Sequence, residues 1–240
     1  MNELGTVWVY LSASPLLGLT LTIGAYSCAN AISARCGLSP LANPVAIAIL
    51  LIGAVLALTN MSYARYFQGA QFVHFLLGPA TVALAIPLAR HLPRVRKALF
   101  PILCALLAGS TTAIVSAVLL VRAFGGSAAL ALSVGPKSAT TPIAMAASQY
   151  LGGIPALTAA LVISTGIVGA ISARYLFDFL RIHSPEVRGF ALGLASHGIG
   201  TAQAIQVNPS AAAFAVLGMG LNGVLTAVLA PYLVPVLLSL

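Results

Sequence analysis

From Gly125 to Gly153 the chain runs GGSAALALSVGPKSATTPIAMAASQYLGG. The stretch is apolar enough for a bilayer, yet Gly125-Gly126, Gly135-Pro136, Pro142 and Gly152-Gly153 interrupt it. Gly and Pro at membrane depth free backbone groups, which only protein or a water-filled cavity can re-satisfy. Its single charge is Lys137, twelve residues after Gly125 and fourteen before Leu151. Crossing helix or re-entrant hairpin, either geometry places that lysine near the bilayer centre.

The surroundings of this stretch set its environment. The chain has 240 residues, 60% of them hydrophobic and 6% charged, with a mean hydropathy of +1.05. Soluble domains carry about 25% charged residues, so a soluble fold is excluded. Eleven basic residues against three acidic ones give a net charge of +8. Without a soluble surface this excess implies no nucleic-acid partner; it is read by position, with Lys and Arg on the cytoplasmic side. The expected fold is all-α, one polytopic transmembrane domain over residues 1–240. A secretory signal peptide is not expected: Met1–Thr6 holds only Glu3, and the apolar run continues for about 25 residues. Cys28, Cys36 and Cys104 are scattered and match neither a disulfide framework nor a metal-ligand spacing. Neither metal nor cofactor is expected.

Charge-free runs from Leu4 to Ala34, Cys36 to Ala64, Ser138 to Ala173 and Gly189 to Leu240 leave room for several crossings, since about 20 apolar residues span a bilayer as helix. Six spans are expected, over 5–30, 44–61, 70–90, 98–121, 154–173 and 211–238. Two further segments, 125–152 and 190–206, are broken or re-entrant. The second contains Gly193, Gly198 and Gly200 and stops before Asn208-Pro209. Basic loops at Arg90–Lys97 and Arg174–Arg188 should share the cytoplasmic side. Only two full crossings between them achieve this, which makes 125–152 a re-entrant hairpin or a segment that fails to cross cleanly, and three spans counted back from Arg90 put the N-terminus outside. Gly78-Pro79-Ala80-Thr81 echoes Gly135-Pro136-Lys137-Ser138, and Gly200-Thr201-Ala202 shares the small-polar-small pattern. Interrupted segments in related halves point to the binding site of a secondary transporter, so an inverted repeat is entertained.

Lys137 has no Asp or Glu in any apolar segment to pair with. A buried cation costs about 2.5–3.5 kcal/mol even on the lenient insertion scale. One reading is that backbone carbonyls or an interface hold it; the other is that its missing counter-ion is a small anionic substrate. Ser138, Thr140 and Thr141 follow at once as hydrogen-bond donors, and helix restarts after Gly135 or Pro142 add positive potential. His197 lies in Ala195-Ser196-His197-Gly198-Ile199-Gly200-Thr201. It either binds substrate or a proton, or packs neutral between helices. The candidate substrate-binding set is Lys137, Ser138, Thr140, Thr141, His197 and Thr201. The candidate helix breaks are Gly78, Pro79, Gly135, Pro136, Pro142, Gly198 and Gly200. His74 reads as interfacial, and Asn222 as a helix–helix hydrogen bond. No metalloprotease, nucleophile-elbow or phosphate-loop motif is present, so an enzyme is not expected.

Five blocks carry a resemblance: the run from Phe75 to Leu88, Pro136-Lys137-Ser138-Ala139-Thr140-Thr141-Pro142-Ile143-Ala144-Met145, Gly152-Gly153-Ile154-Pro155, Ala195–Ala202, and Met219-Gly220-Leu221-Asn222-Gly223. With them the chain resembles the LrgB/CidB family, the membrane partners of the small holin-like LrgA/CidA proteins. The resemblance implies two competing functions. One is an antiholin-like modulator of murein hydrolase export and autolysis. The other is a carrier of small monocarboxylates of the glycolate, glycerate or pyruvate class, in the cell inner membrane, homo-oligomeric or with an LrgA-type partner. Two positions depart from the family pattern: Ala146 stands where a Glu is common and Gln203 where an Arg is common. Losing both together fits either removal of a buried ion pair, a change that can be structurally neutral, or an altered substrate or proton coupling.

Overall fold

The computed structural model describes residues 15–37, 39–76, 79, 82–83 and 85–239. The described residues are helical, with no strand among them. They fall into two compact units, divided between Ala83 and Leu84.

The first unit contains helices α1 (Pro15–Arg35), α2 (Pro44–Thr59) and α3 (Tyr63–Phe75). Asn43 starts α2: its side-chain oxygen accepts from the amides of Val45 and Ala46 while Pro44 occupies the first turn. Asn60 ends α2 in the left-handed region at φ 52°. Helix α1 packs on both others. Gly18 permits its approach to α3, because a Cβ there would collide with the Tyr66 carbonyl. The Tyr66 hydroxyl in turn meets Thr22 Oγ1 at 2.7 Å.

The second unit contains α4 (Ala85–Arg90), α5 (Leu92–Lys97), α6 (Leu99–Ala123), α7 (Ala128–Val134), α8 (Thr141–Leu151), α9 (Pro155–Phe179), α10 (Pro185–Val207) and α11 (Pro209–Ser239). Two apolar clusters orient the long helices. Ile102 and Leu106 of α6 pack with Ala213 and Phe214 of α11, near the start of both. Ile114 and Val118 pack with Ala230, Val234 and Leu237, near the end of both. Helices α6 and α11 therefore run parallel. Helix α9 runs the other way: Ala173 and Phe177, late in α9, pack with Ala211 and Ala215, early in α11.

Between these full-length helices the chain doubles back twice. Ala131 of α7 and Leu151 of α8 pack in the same cluster as Val118 and Val234, so this arm pair enters and leaves at the end of α6. Ser133 Oγ accepts from the Ile154 amide at 2.8 Å, and Thr158 Oγ1 donates toward the Ser133 carbonyl and Ser148 Oγ. Gly152 at φ 83° closes α8 in a conformation that glycine adopts without strain. The second reversal lies inside α10. In a straight helix Leu192 and Ala204 would stand about 18 Å apart, yet they share one cluster. A Cβ on Gly200 would stand 2.6 Å from the Leu192 carbonyl oxygen. The bend is at His197, whose φ of 42° and ψ of −129° are not helical. This second arm pair packs with the beginning of α11, opposite the first.

Among the described residues, four helices are long and apolar enough to cross a membrane: Leu16–Arg35 within α1, α6, α9 and α11. They correspond to four of the six expected spans. Segment 44–61 forms only the 16 residues of α2, short of the roughly 20 a spanning helix needs. Segment 70–90 is not one helix, because α3 ends at Phe75 and a turn follows at Leu76. Part of the expected 5–30 span, residues 5–14, lies outside the described residues, as do Gly78 and the side chain of His74. Pro79 is exposed.

Candidate functional site in the two fold-backs

Lys137 occupies the six-residue connection between α7 and α8, its amide donating to the Val134 carbonyl at 3.0 Å. Its side chain is half-buried. No ion pair reaches it among the described residues. The described carboxylates are committed elsewhere. Asp178 binds Arg188 at 2.6 Å, with Arg174 at 4.0 Å. Glu186 accepts from the Ser184 hydroxyl at 2.9 Å, and hydrogen bonding within this first turn of α10 holds its carboxyl below the usual range. Arg188 also donates to the Ile182 carbonyl and covers the Phe177 ring, which clamps the end of α9 to the start of α10.

The residues around Lys137 divide between site and scaffold. Ser138 is buried, and its carbonyl accepts from Asn222 Nδ2 at 2.9 Å. Thr140 precedes the first turn of α8, its side chain making no cap bond; Thr141 and Pro142 begin the helix. Pro142 lacks an amide that would be unpaired at that position anyway. Gly135 and Pro136 serve close packing. A Cβ on Gly135 would lie 2.6 Å from Val234 Cγ2, and Pro136 is fully buried.

His197 is 4% exposed, and its Nε2 lies 2.9 Å from the Val162 carbonyl oxygen. A carbonyl only accepts, so Nε2 carries the proton and donates. Gly166 of α9 leaves room for the ring: a Cβ there would stand 2.6 Å from His197 Cε1. Thr201 Oγ1 donates to the His197 carbonyl at 2.7 Å, so its hydroxyl proton supports the bend. Gly198 and Gly200 are the expected breaks in this segment, but Gly198 has no positive φ and open space around it. The reversal is carried one residue earlier, by histidine. Gly200 instead provides the close approach of the two arms.

The residue that sequence reasoning undervalued is Asn222. Fully buried in α11, it donates from Nδ2 to the carbonyls of both Ser138 and Leu194, at 2.9 and 3.0 Å. Those carbonyls belong to the tips of the two fold-backs, one next to Lys137 and the other three residues before His197. An amide in the middle of a 31-residue apolar helix is the available signal, because a polar group at such depth must find partners. Gln203 Oε1 is buried with no donor among the described residues. Ala146 lies within α8.

The LrgB-like family model matches residues 22–236. The chain is 36% identical over 216 residues to "Uncharacterized protein YxaC" of Bacillus subtilis (strain 168), covering 90% of this chain and 94% of that one. It is 33% identical over 223 residues to "Antiholin-like protein LrgB" of Bacillus mycoides (strain KBAB4), covering 92% and 96%. The protein of that name from Bacillus cereus (strain B4264) is 32% identical over the same length. No solved structure matches. With nearly its whole length aligned to the family and to these relatives, the chain belongs to the LrgB-like family of multi-pass membrane proteins.

Proposed function

We propose that the protein is a secondary carrier of small monocarboxylates, of the glycolate, glycerate or pyruvate class, with Lys137 as its anion site. The observation that carries this reading is the meeting of two interrupted, oppositely entering segments at Asn222, one of them bearing a lysine with no carboxylate partner among the described residues. In a bilayer, irregular backbone belongs where it lines a cavity, and paired broken segments in inverted halves mark carrier binding sites. Helix α6 with the α7–α8 fold-back, and α9 with the α10 fold-back, form such a pair of opposite sense. Ser138, Thr140 and Thr141 supply hydrogen bonds to the anion's oxygens, while His197 and Thr201 furnish the facing wall. Both basic loops then lie at one end of the second unit and face the cytoplasm. We place the carrier in the cell inner membrane as a homo-oligomer, with its N-terminus outside.

A second reading has its own support. The names of the relatives from B. mycoides and B. cereus are antiholin-like, and they favour a regulator of murein hydrolase export acting with an LrgA-type membrane partner over the carrier. Counterflow of labelled glycolate, glycerate and pyruvate in liposomes holding the purified protein separates the two. Saturable exchange that Lys137→Ala abolishes, at normal expression, supports the carrier. Absence of exchange with folded protein, alone and with an LrgA-type partner added, refutes it and leaves the regulator.

A further inference from the structure

We propose that Asn222 is a positioning residue that holds the two fold-back tips in register, so that the halves of the anion site assemble as one. This rests on the carrier reading for its functional meaning, but the tie itself is a statement about structure. Each fold-back packs chiefly on α9 and α11, and Asn222 is where their tips share one side chain. Its amide has two donors and two acceptor sites, and all have partners. Nδ2 donates to Ser138 and Leu194. Oδ1 accepts from Ser110 Oγ at 2.6 Å and from Thr226 Oγ1 at 3.3 Å.

This network permits one orientation. Turning the amide over would set its oxygen against two carbonyl oxygens, none of which can donate. Ser110 in α6 and Thr226 one turn along α11 thus hold the oxygen, and the nitrogen is left pointing at the tips. Asn222→Asp keeps the acceptor but removes both N–H groups and sets a carboxylate against two carbonyls. Asn222→Leu keeps the volume with neither donor nor acceptor. Ser110→Ala removes a bond on the acceptor side and leaves both tip bonds in place.

Hydrogen–deuterium exchange on the purified protein reads the tie directly. Asn222→Asp should speed exchange about tenfold, one hydrogen bond's worth of protection, at both 135–141 and 194–200. Helices α6 and α9 should keep their wild-type rates, and so should both tips in Ser110→Ala. Asn222→Leu gives the same readout should the aspartate variant fail to fold. In liposomes, Asn222→Asp should raise the half-saturating substrate concentration by about the same factor, with the maximal rate less affected. Unchanged exchange at either tip overturns the tie, as does equal loosening throughout the unit. Wild-type protein that exchanges no monocarboxylate overturns the carrier reading instead, and the exchange pattern at the two tips then decides the tie alone.

Discussion

His197 Nε2 donates to the carbonyl oxygen of Val162 across 2.9 Å, anchoring the tip of the α10 fold-back to α9. The same residue turns the chain, at φ 42° and ψ −129°. One histidine therefore combines a side-chain bond with a backbone conformation that suits glycine.

These two roles separate by mutation. A non-glycine residue in such a region costs about 1–3 kcal/mol. His197→Gly relieves that cost and loses the ring; His197→Ala keeps the cost and loses the ring. The glycine variant should be the more stable of the two by about 1 kcal/mol. Thermal melts in detergent check this, and equal melting would mean the bend stores no strain. In a carrier, either variant should change the pH profile of transport if the imidazole handles a proton; curves parallel to wild type would restrict it to packing.

The contact between α10 and α11 depends on Gly189 and Gly193 of α10 and on Gly218 of α11. A Cβ on Gly189 or Gly193 would collide with the backbone of Ala211 or Ala215 respectively. Gly193→Ala should destabilise the protein by about 1–3 kcal/mol, as overpacking does. Gly198→Ala, in open space, should be neutral or gain about 0.5–1 kcal/mol from helix propensity. A melt series comparing the two reverses this ranking if the arms of α10 do not pack as described.

At the other fold-back, hydroxyls replace backbone pairing. Ser133→Ala leaves the Ile154 amide without its acceptor, which should cost about 0.5–1.5 kcal/mol. Val in place of Thr158 removes the donor to Ser133 and Ser148 and should cost about 1 kcal/mol. Urea or thermal unfolding measures both, and additive losses in the double variant would show that the hydroxyls do not act as one network.

Topology gives a prediction independent of transport. Single cysteines at 124–127 and 150–153 should label from one side of the membrane, and cysteines at 91–97 and 180–184 from the other. Opposite-side labelling of the first two groups would mean that 125–152 crosses, and that the chain between the basic loops makes three passes.

Much of this arrangement was legible from residue types. The hairpin at 125–152 followed from Gly, Pro and the placement of Arg90–Lys97 and Arg174–Arg188, because breaks and loop charges are local properties. Span counting did less well. Hydropathy over 44–61 and 70–90 records composition, whereas helix length depends on caps and turns such as Asn43, Asn60 and Leu76. Reading Asn222 as a helix–helix bond matched its partners in kind, but nothing local to it indicated that those partners would be the two tips.

Composition placed the chain in the membrane, at 60% hydrophobic and 6% charged, and its long charge-free apolar runs made the spans helical, because about 20 continuous apolar residues cross as helix whereas barrel strands alternate. It also singled out Lys137 as a cation without a carboxylate nearby in sequence. Tertiary structure decided that His197 rather than Gly198 makes the bend, and that Ser138 and Leu194 share one amide. The reason is physical. Hydrophobicity and helix breaks act over neighbouring residues, while the meeting of tips 84 and 28 positions away from Asn222 is set by how α6, α9 and α11 pack.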